Sequence, residues 1–305
     1  MIELWALLAI GGAFLQNLRS LLQRQLTARL TVQGASYVRF VYALPFAWLY
    51  WMALGDGVPT VVSRAFMGYV LLGAGAQILG TYALVAAVSR GNFAIGTAYS
   101  KTESAQAALF GLLLVGDALT APLLAAIAVS FAGVVLLSSS AQLEPGQSRV
   151  WDRWLDRRVL PLGLLAAAGF ALSAVCFRGA ALDLGSTSAV LPVAAAAFTL
   201  AVVLSLQTLL QGAYLLWAER GQLSAVAGEW RSGVLVGLAG MLASVCWFTA
   251  MALHWAAAVR AVGQVEMLFT ALTSVYFLRE RLSARALLGM VLIVSGIVLL
   301  LRSGH

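Results

Sequence analysis

The chain has 305 residues, 62% of them hydrophobic and only 10% charged, with a mean hydropathy of +0.92. Soluble domains carry roughly 25% charged residues, so this composition cannot supply a water-facing surface. The net charge of +7 would suit nucleic acid, but most of the eighteen arginines are spread among short connections between apolar runs, where they set membrane orientation, and nucleic acid is set aside as a partner.

A helix needs about 20 apolar residues to cross the hydrocarbon core, and ten stretches qualify. The first, 4–22, carries Gln16 and Asn17 and lacks a basic leader and cleavage site, so it reads as a retained helix. The second, 34–54, holds Arg39 near its start and closes on Trp48, Tyr50 and Trp51, an aromatic belt. The third, 66–88, contains Gln77 and Tyr82; the fourth, 94–115, contains the polar run Tyr99-Ser100-Lys101-Thr102-Glu103-Ser104-Ala105-Gln106; the fifth is 121–138. A polar connection, 139–158, follows, with Trp151 to Arg158 as a short amphipathic piece on the membrane surface. The remaining spans are 160–182, 187–210, 233–253 with Trp247, 257–278 with Gln264 and Glu266, and 284–301. Gly-Asp-Gly at 55–57, Gly116-Asp117 and Asp183-Leu184-Gly185 punctuate them.

The two halves repeat. A shift of 163 residues, without a gap, lays Gly116-Asp117-Ala118-Leu119-Thr120 on Arg279-Glu280-Arg281-Leu282-Ser283, Gly133 on Gly296, and Lys101-Thr102-Glu103 on Gln264-Val265-Glu266. Leucine and valine matches mean little in apolar sequence. A loop acid, a glycine sixteen residues later and an intramembrane glutamate in one register mean more. Five spans per half is odd, so the second copy enters the membrane from the opposite side. The expected architecture is an all-α polytopic membrane protein of ten transmembrane helices as two inverted five-helix repeats, 1–138 and 160–305, joined by 139–159. Near span ends, thirteen arginines fall in the loops after odd-numbered spans and four elsewhere, which places 139–158 in the cytoplasm and both termini outside.

These elements resemble the drug/metabolite transporter superfamily, in its EamA-type ten-helix branch. The resemblance is carried by Gly116-Asp117-Ala-Leu-Thr with Gly133, by Arg279-Glu280-Arg-Leu-Ser with Gly289 and Gly296, and by Arg39-Phe40 in the second span. It covers nearly the whole chain and implies a transporter of the inner membrane. Members carry amino acids, metabolites, nucleotide sugars or cationic drugs. Many relatives have proline in the fourth and ninth helices where this chain has polar residues.

Lys101 is the sole lysine. A charge at mid-bilayer costs about 2.5–3.5 kcal/mol on an insertion scale, so it needs a partner. Residues two apart on a helix point roughly 200° apart, so Lys101 and Glu103 cannot satisfy each other. Glu103 shares a face with Tyr99, Gln106 and Phe110. Glu266, its repeat equivalent, should also lie near the midplane, where inverted-repeat transporters hold solute. Apolar surroundings would favour the neutral acid, which suits a proton carrier, and Arg39 is a candidate counter-charge to Glu103. The candidate solute- or proton-binding set is Glu103, Glu266, Lys101, Gln264, Tyr99, Gln106, Arg39, Asn17, Tyr82 and Trp247. Each also has a bland reading as a packing or hydrogen-bonding residue. Asp117 and Glu280 are assigned to architecture, as acids near helix N-termini.

Cys176 and Cys246 lie in apolar runs, and His254 and His305 are the only histidines, so neither a metal site nor a cofactor is implied. The chain reads as a secondary transporter of a small organic solute, exporting it by alternating access, with the proton as candidate coupling ion; Lys101 could hold the carboxylate of a zwitterion. A lipid-linked carrier flippase is the alternative. An intramembrane enzyme lacks a histidine–acid pair or activated nucleophile here.

Overall fold

A computed structural model describes residues 3–26, 29–55, 59–90, 99–140, 159–278 and 283–302. All regular structure among them is helical: α1 (Leu4–Leu26), α2 (Val32–Val41), α3 (Leu44–Leu54), α4 (Arg64–Arg90), α5 (Glu103–Leu114), α6 (Ala121–Ser140), α7 (Leu160–Ser188), α8 (Pro192–Ala218), α9 (Gly221–Gly228), α10 (Trp230–Leu253), α11 (Ala256–Gly263), α12 (Glu266–Leu278) and α13 (Ala284–Arg302). The loop element 279–282 and the connection 141–158, with its amphipathic piece, lie outside the described residues.

Six helices are individually long and apolar enough to cross a membrane: those at Arg64–Leu84, Ala121–Ser138, Leu160–Ser188, Pro192–Ala218, Trp230–Leu253 and Ala284–Arg302. Large apolar side chains on their outsides, such as Trp217 at 80% exposure and Leu209 at 70%, are stable only against lipid. The expected count of ten is not reproduced by single helices, and broken spans are one physical reason. The second span is divided into α2 and α3 at Tyr42-Ala43. Pro45 has no N–H to reach the carbonyl four residues back and disfavours helical backbone at the residue before it. The ninth span is divided into α11 and α12 at Gln264-Val265, and the fourth turns at Lys101-Thr102 before α5.

The chain divides into two compact units. Unit I comprises Met1–Ile2, Gly75–Val175 and His254–His305; unit II comprises Glu3–Ala74 and Cys176–Leu253. Each draws on both sequence halves.

In unit I, α6 and α13 pack antiparallel through glycines. A Cβ on Gly133 would lie 2.6 Å from the Gly289 carbonyl oxygen and 2.7 Å from Ile293 N; one on Gly296 would lie 2.8 Å from the Ala126 oxygen and 2.8 Å from Ser130 N. Under the 163-residue shift Ala126 becomes Gly289, Ser130 becomes Ile293 and Gly133 becomes Gly296, so the two sets of contacts exchange. That is the signature of a local two-fold relation. The caps agree. Leu123 N–H donates to Thr120 Oγ1 (3.4 Å) at the start of α6, and Ala286 N–H donates to Ser283 Oγ (3.2 Å) at the start of α13. Gly116, at φ +75°, ends the loop before Asp117, whose N–H donates to the Gly111 carbonyl at 3.0 Å.

In unit II, α1 packs along α10 where Gly12 admits Trp247; a Cβ on Gly12 would lie 3.2 Å from the indole. Gly212 of α8 faces the Tyr37 hydroxyl of α2, and Trp48 Nε1 donates to Ser205 Oγ at 3.0 Å. Leu26, Leu30, Tyr37, Val38, Leu215, Val226 and Val236 form its apolar cluster. Arg178, half-way along α7, is buried and donates to the Met251 carbonyl at 2.8 Å, where α10 is ending and its last carbonyls lack helical partners.

Candidate functional site

The fourth and ninth spans each contain a tightened turn, and the turns coincide under the repeat. Thr102 N–H donates to the Tyr99 carbonyl (3.1 Å), and in the ninth span Gln264 N–H donates to Ala261 (3.2 Å) and Val265 N–H to Val262 (3.1 Å). These are three-residue steps, so the α-helical ladder is locally wound tighter. The Thr102 hydroxyl reinforces the first turn by donating to the Tyr99 carbonyl at 2.8 Å. Each turn hands over to a new helix that begins on a glutamate, Glu103 for α5 and Glu266 for α12. A carboxylate there meets the exposed N–H end of the helix, which favours negative charge.

The charges pair across the spans. Lys101 Nζ donates to Glu266 Oε2 at 2.9 Å, with side chains 11% and 17% exposed. Arg260 Nη1 of α11 lies 3.8 Å from Glu103 Oε2, with side chains 11% and 10% exposed. Between the pairs, Gln264 Nε2 donates to Ser104 Oγ at 2.9 Å, and Gln264 Oε1 is buried without a hydrogen-bond partner among the described residues. Two cations and two anions thus form a neutral, nearly dry quartet inside unit I. Neutrality matters here: removing one member, or protonating one acid, leaves a buried charge uncompensated.

Of the residues expected from sequence, Lys101, Glu103, Gln264 and Glu266 come together. Gln106 flanks them, its Nε2 donating to Thr102 Oγ1 at 3.1 Å. Tyr99 is placed in packing: its ring covers Gly163, in a cluster with Ala87 and Val159. Tyr82 lies on the unit I portion of α4, while Asn17, Arg39 and Trp247 lie in unit II. The cation that Glu103 meets is Arg260. In the sequence Arg260 reads as one of the arginines near a span end. The signal that could have found it is its spacing, four residues before Gln264 on the same helical face and inside an apolar run.

Residues 157–302 match the EamA-like transporter family. The match supports membership of the drug/metabolite transporter superfamily, whose EamA-like members are membrane transporters. No curated protein matches the chain. A solved structure, described only as the crystal structure of a protein, aligns with a TM-score of 0.70 at 15% identity, covering 98% of this chain and 96% of that one. At that identity the likeness shows the fold alone. The EamA-like match contains Arg260, Gln264 and Glu266; Lys101 and Glu103 lie before it.

Proposed function

We propose that this EamA-like transporter is a secondary carrier of the inner membrane that exports a small organic solute by alternating access of two inverted repeats, with the Lys101–Glu266 and Arg260–Glu103 pairs as its solute and proton site. The observation that carries the reading is the neutral quartet at two repeat-related helix turns. Buried ionisable groups in a membrane are expensive, and structural packing would be served by apolar residues. Tightened or interrupted helices at corresponding positions of two repeats are where such carriers place solute. The exchanged contacts of Gly133 and Gly296 support the inverted relation.

Solute enters by partner exchange. An acidic group of the solute replaces a glutamate on Lys101 or Arg260, and an ammonium or a proton takes the glutamate so released. Zwitterions such as amino acids supply both charges at once. Gln264 Oε1 offers an acceptor for an ammonium or hydroxyl. Proton and ammonium compete for the same carboxylates, so transport should fall at acidic pH on the side from which solute binds.

The test is flux of a panel of zwitterions, acids and amines in proteoliposomes against pH, for wild type, Glu103→Gln and Glu266→Gln. The variants should fold, lose most of the flux and lose its pH dependence. Unchanged rate and pH profile in both variants would remove these glutamates from the transport site.

A further inference from the structure

Glu103 and Glu266 are repeat mates, yet the helices that follow them differ. On α12 the face of Glu266 continues through Thr270 and Thr273, at rotations of roughly 40° and −20° from the glutamate. The 163-residue shift lays these threonines on Ala107 and Phe110 of α5, so the same face beyond Glu103 carries no hydroxyl. Thr270 is exposed, whereas its mate Ala107 is fully buried; Thr273 and Phe110 are both half-buried. The glutamates differ in the same sense, with side chains 17% exposed at Glu266 and 10% at Glu103.

A threonine alone can stand against lipid, because its proton can go to the carbonyl four residues back. Thr270 has that bond, its Oγ1 donating to the Glu266 carbonyl at 3.0 Å, and the oxygen keeps lone pairs for a further donor. The glutamate decides what the face meets. A carboxylate opened onto hydrocarbon is expensive, and one opened onto water is not. The opening beside Glu266 therefore meets water, and the exposed hydroxyl one turn along prolongs it. Thr273, about 10 Å along the axis from Glu266, carries the polar face towards the end of α12. Beyond Glu103, a methyl group and an aromatic ring close the corresponding face of α5.

We propose that Thr270 and Thr273 line an aqueous route within unit I, through which Glu266 exchanges proton and solute with the membrane side on which α12 ends, while Glu103 has no such route along α5. The inference rests on the quartet being the solute and proton site, and adds which of its two acids is reached first and from where. The hydroxyls suit a solute that brings an ammonium or hydroxyl group, since each oxygen can accept from it in passing. The arginine asymmetry puts the end of α12 on the cytoplasmic side, from which an exporter loads.

Thiol labelling tests the route without reference to transport. Single cysteines replace Thr270, Thr273, Leu272 or Arg285 in the full chain, in membrane vesicles of either orientation, and a membrane-impermeant cationic methanethiosulfonate is added outside. The wild-type chain supplies the blank for Cys176 and Cys246. Leu272 is also exposed, at 42%, but stands roughly 120° round the helix from Glu266. Arg285, exposed just beyond the 279–282 connection, marks the side on which α12 ends. The thiolate is the reacting form and does not persist against lipid, so Thr270→Cys and Thr273→Cys should label at least about tenfold faster than Leu272→Cys, and from the same side as Arg285→Cys. Labelling no faster than that of Leu272→Cys, or from the side opposite to Arg285→Cys, overturns the route. If one threonine variant fails to accumulate, the other decides alone against Leu272→Cys. Fast labelling while Glu266→Gln transports like wild type would remove the quartet as the site and leave the access; slow labelling while Glu266→Gln loses its flux would do the converse.

Discussion

Replacing Lys101 by Met removes a cation 2.9 Å from Glu266 Oε2, in a pair whose side chains are 11% and 17% exposed. At that separation the attraction is about 6 kcal/mol for an effective dielectric near 20, against about 4 kcal/mol at the 3.8 Å of Arg260–Glu103. Desolvation offsets much of either figure. What a single substitution exposes is the uncompensated partner, a penalty of about 3–5 kcal/mol. Lys101→Met is therefore expected to destabilise the chain by about 3–5 kcal/mol, and Glu266→Leu by a similar amount. The double variant should recover about 2–3 kcal/mol of the sum, since it leaves no orphaned charge. The assay is a double-mutant cycle by denaturant unfolding in detergent micelles, run beside transport in proteoliposomes. Stability should return in the double variant while transport does not, because a structural pair can be replaced by apolar groups and a binding site cannot. Additive losses, or a Lys101→Met variant within about 0.5 kcal/mol of wild type, would refute the coupling.

Arg260→Gln should cost less than Lys101→Met in the same unfolding assay, because its contact with Glu103 is longer. Gly133→Ala should destabilise by about 1–3 kcal/mol, as its Cβ meets the Gly289 backbone at 2.6 Å, whereas Gly75→Ala, with nothing within 4 Å, should gain about 0.5–1 kcal/mol from helix propensity; thermal melts of the two variants compare them directly. Arg29→Ala breaks a pair whose arginine is 70% exposed and should change stability by less than about 1 kcal/mol by the same unfolding assay. Reporter fusions within 139–158 should report the cytoplasm and fusions at the C-terminus the periplasm; cytoplasmic signal from the C-terminus would show that the arginine asymmetry does not set the orientation.

Apolar runs, their punctuation and the 163-residue register are properties of the chain in one dimension, so membrane class, helical content and the repeat-related glutamates could be read from the sequence. Gly133, Gly296, Thr120 and Ser283 appeared as motif positions; tertiary packing showed the reason, two backbones in contact and two capped helix starts. The span 34–54 reads as one helix in the sequence, and the structure divides it into α2 and α3 beside Pro45, whose missing N–H leaves the ladder incomplete. The turns at Lys101-Thr102 and Gln264-Val265 had no such marker, because no proline or glycine pair lies in them and only local hydrogen bonding defines them. Pairing belonged to the tertiary structure altogether. Periodicity established that Lys101 and Glu103 could not meet, but which residues 160 positions away face them depends on how α11 and α12 pack on the fourth span. Arg260 looked like one more arginine at a span end. It becomes the partner of Glu103 only when the ninth helix is laid against the fourth, since burial and charge pairing arise between elements and leave no trace in the composition of either.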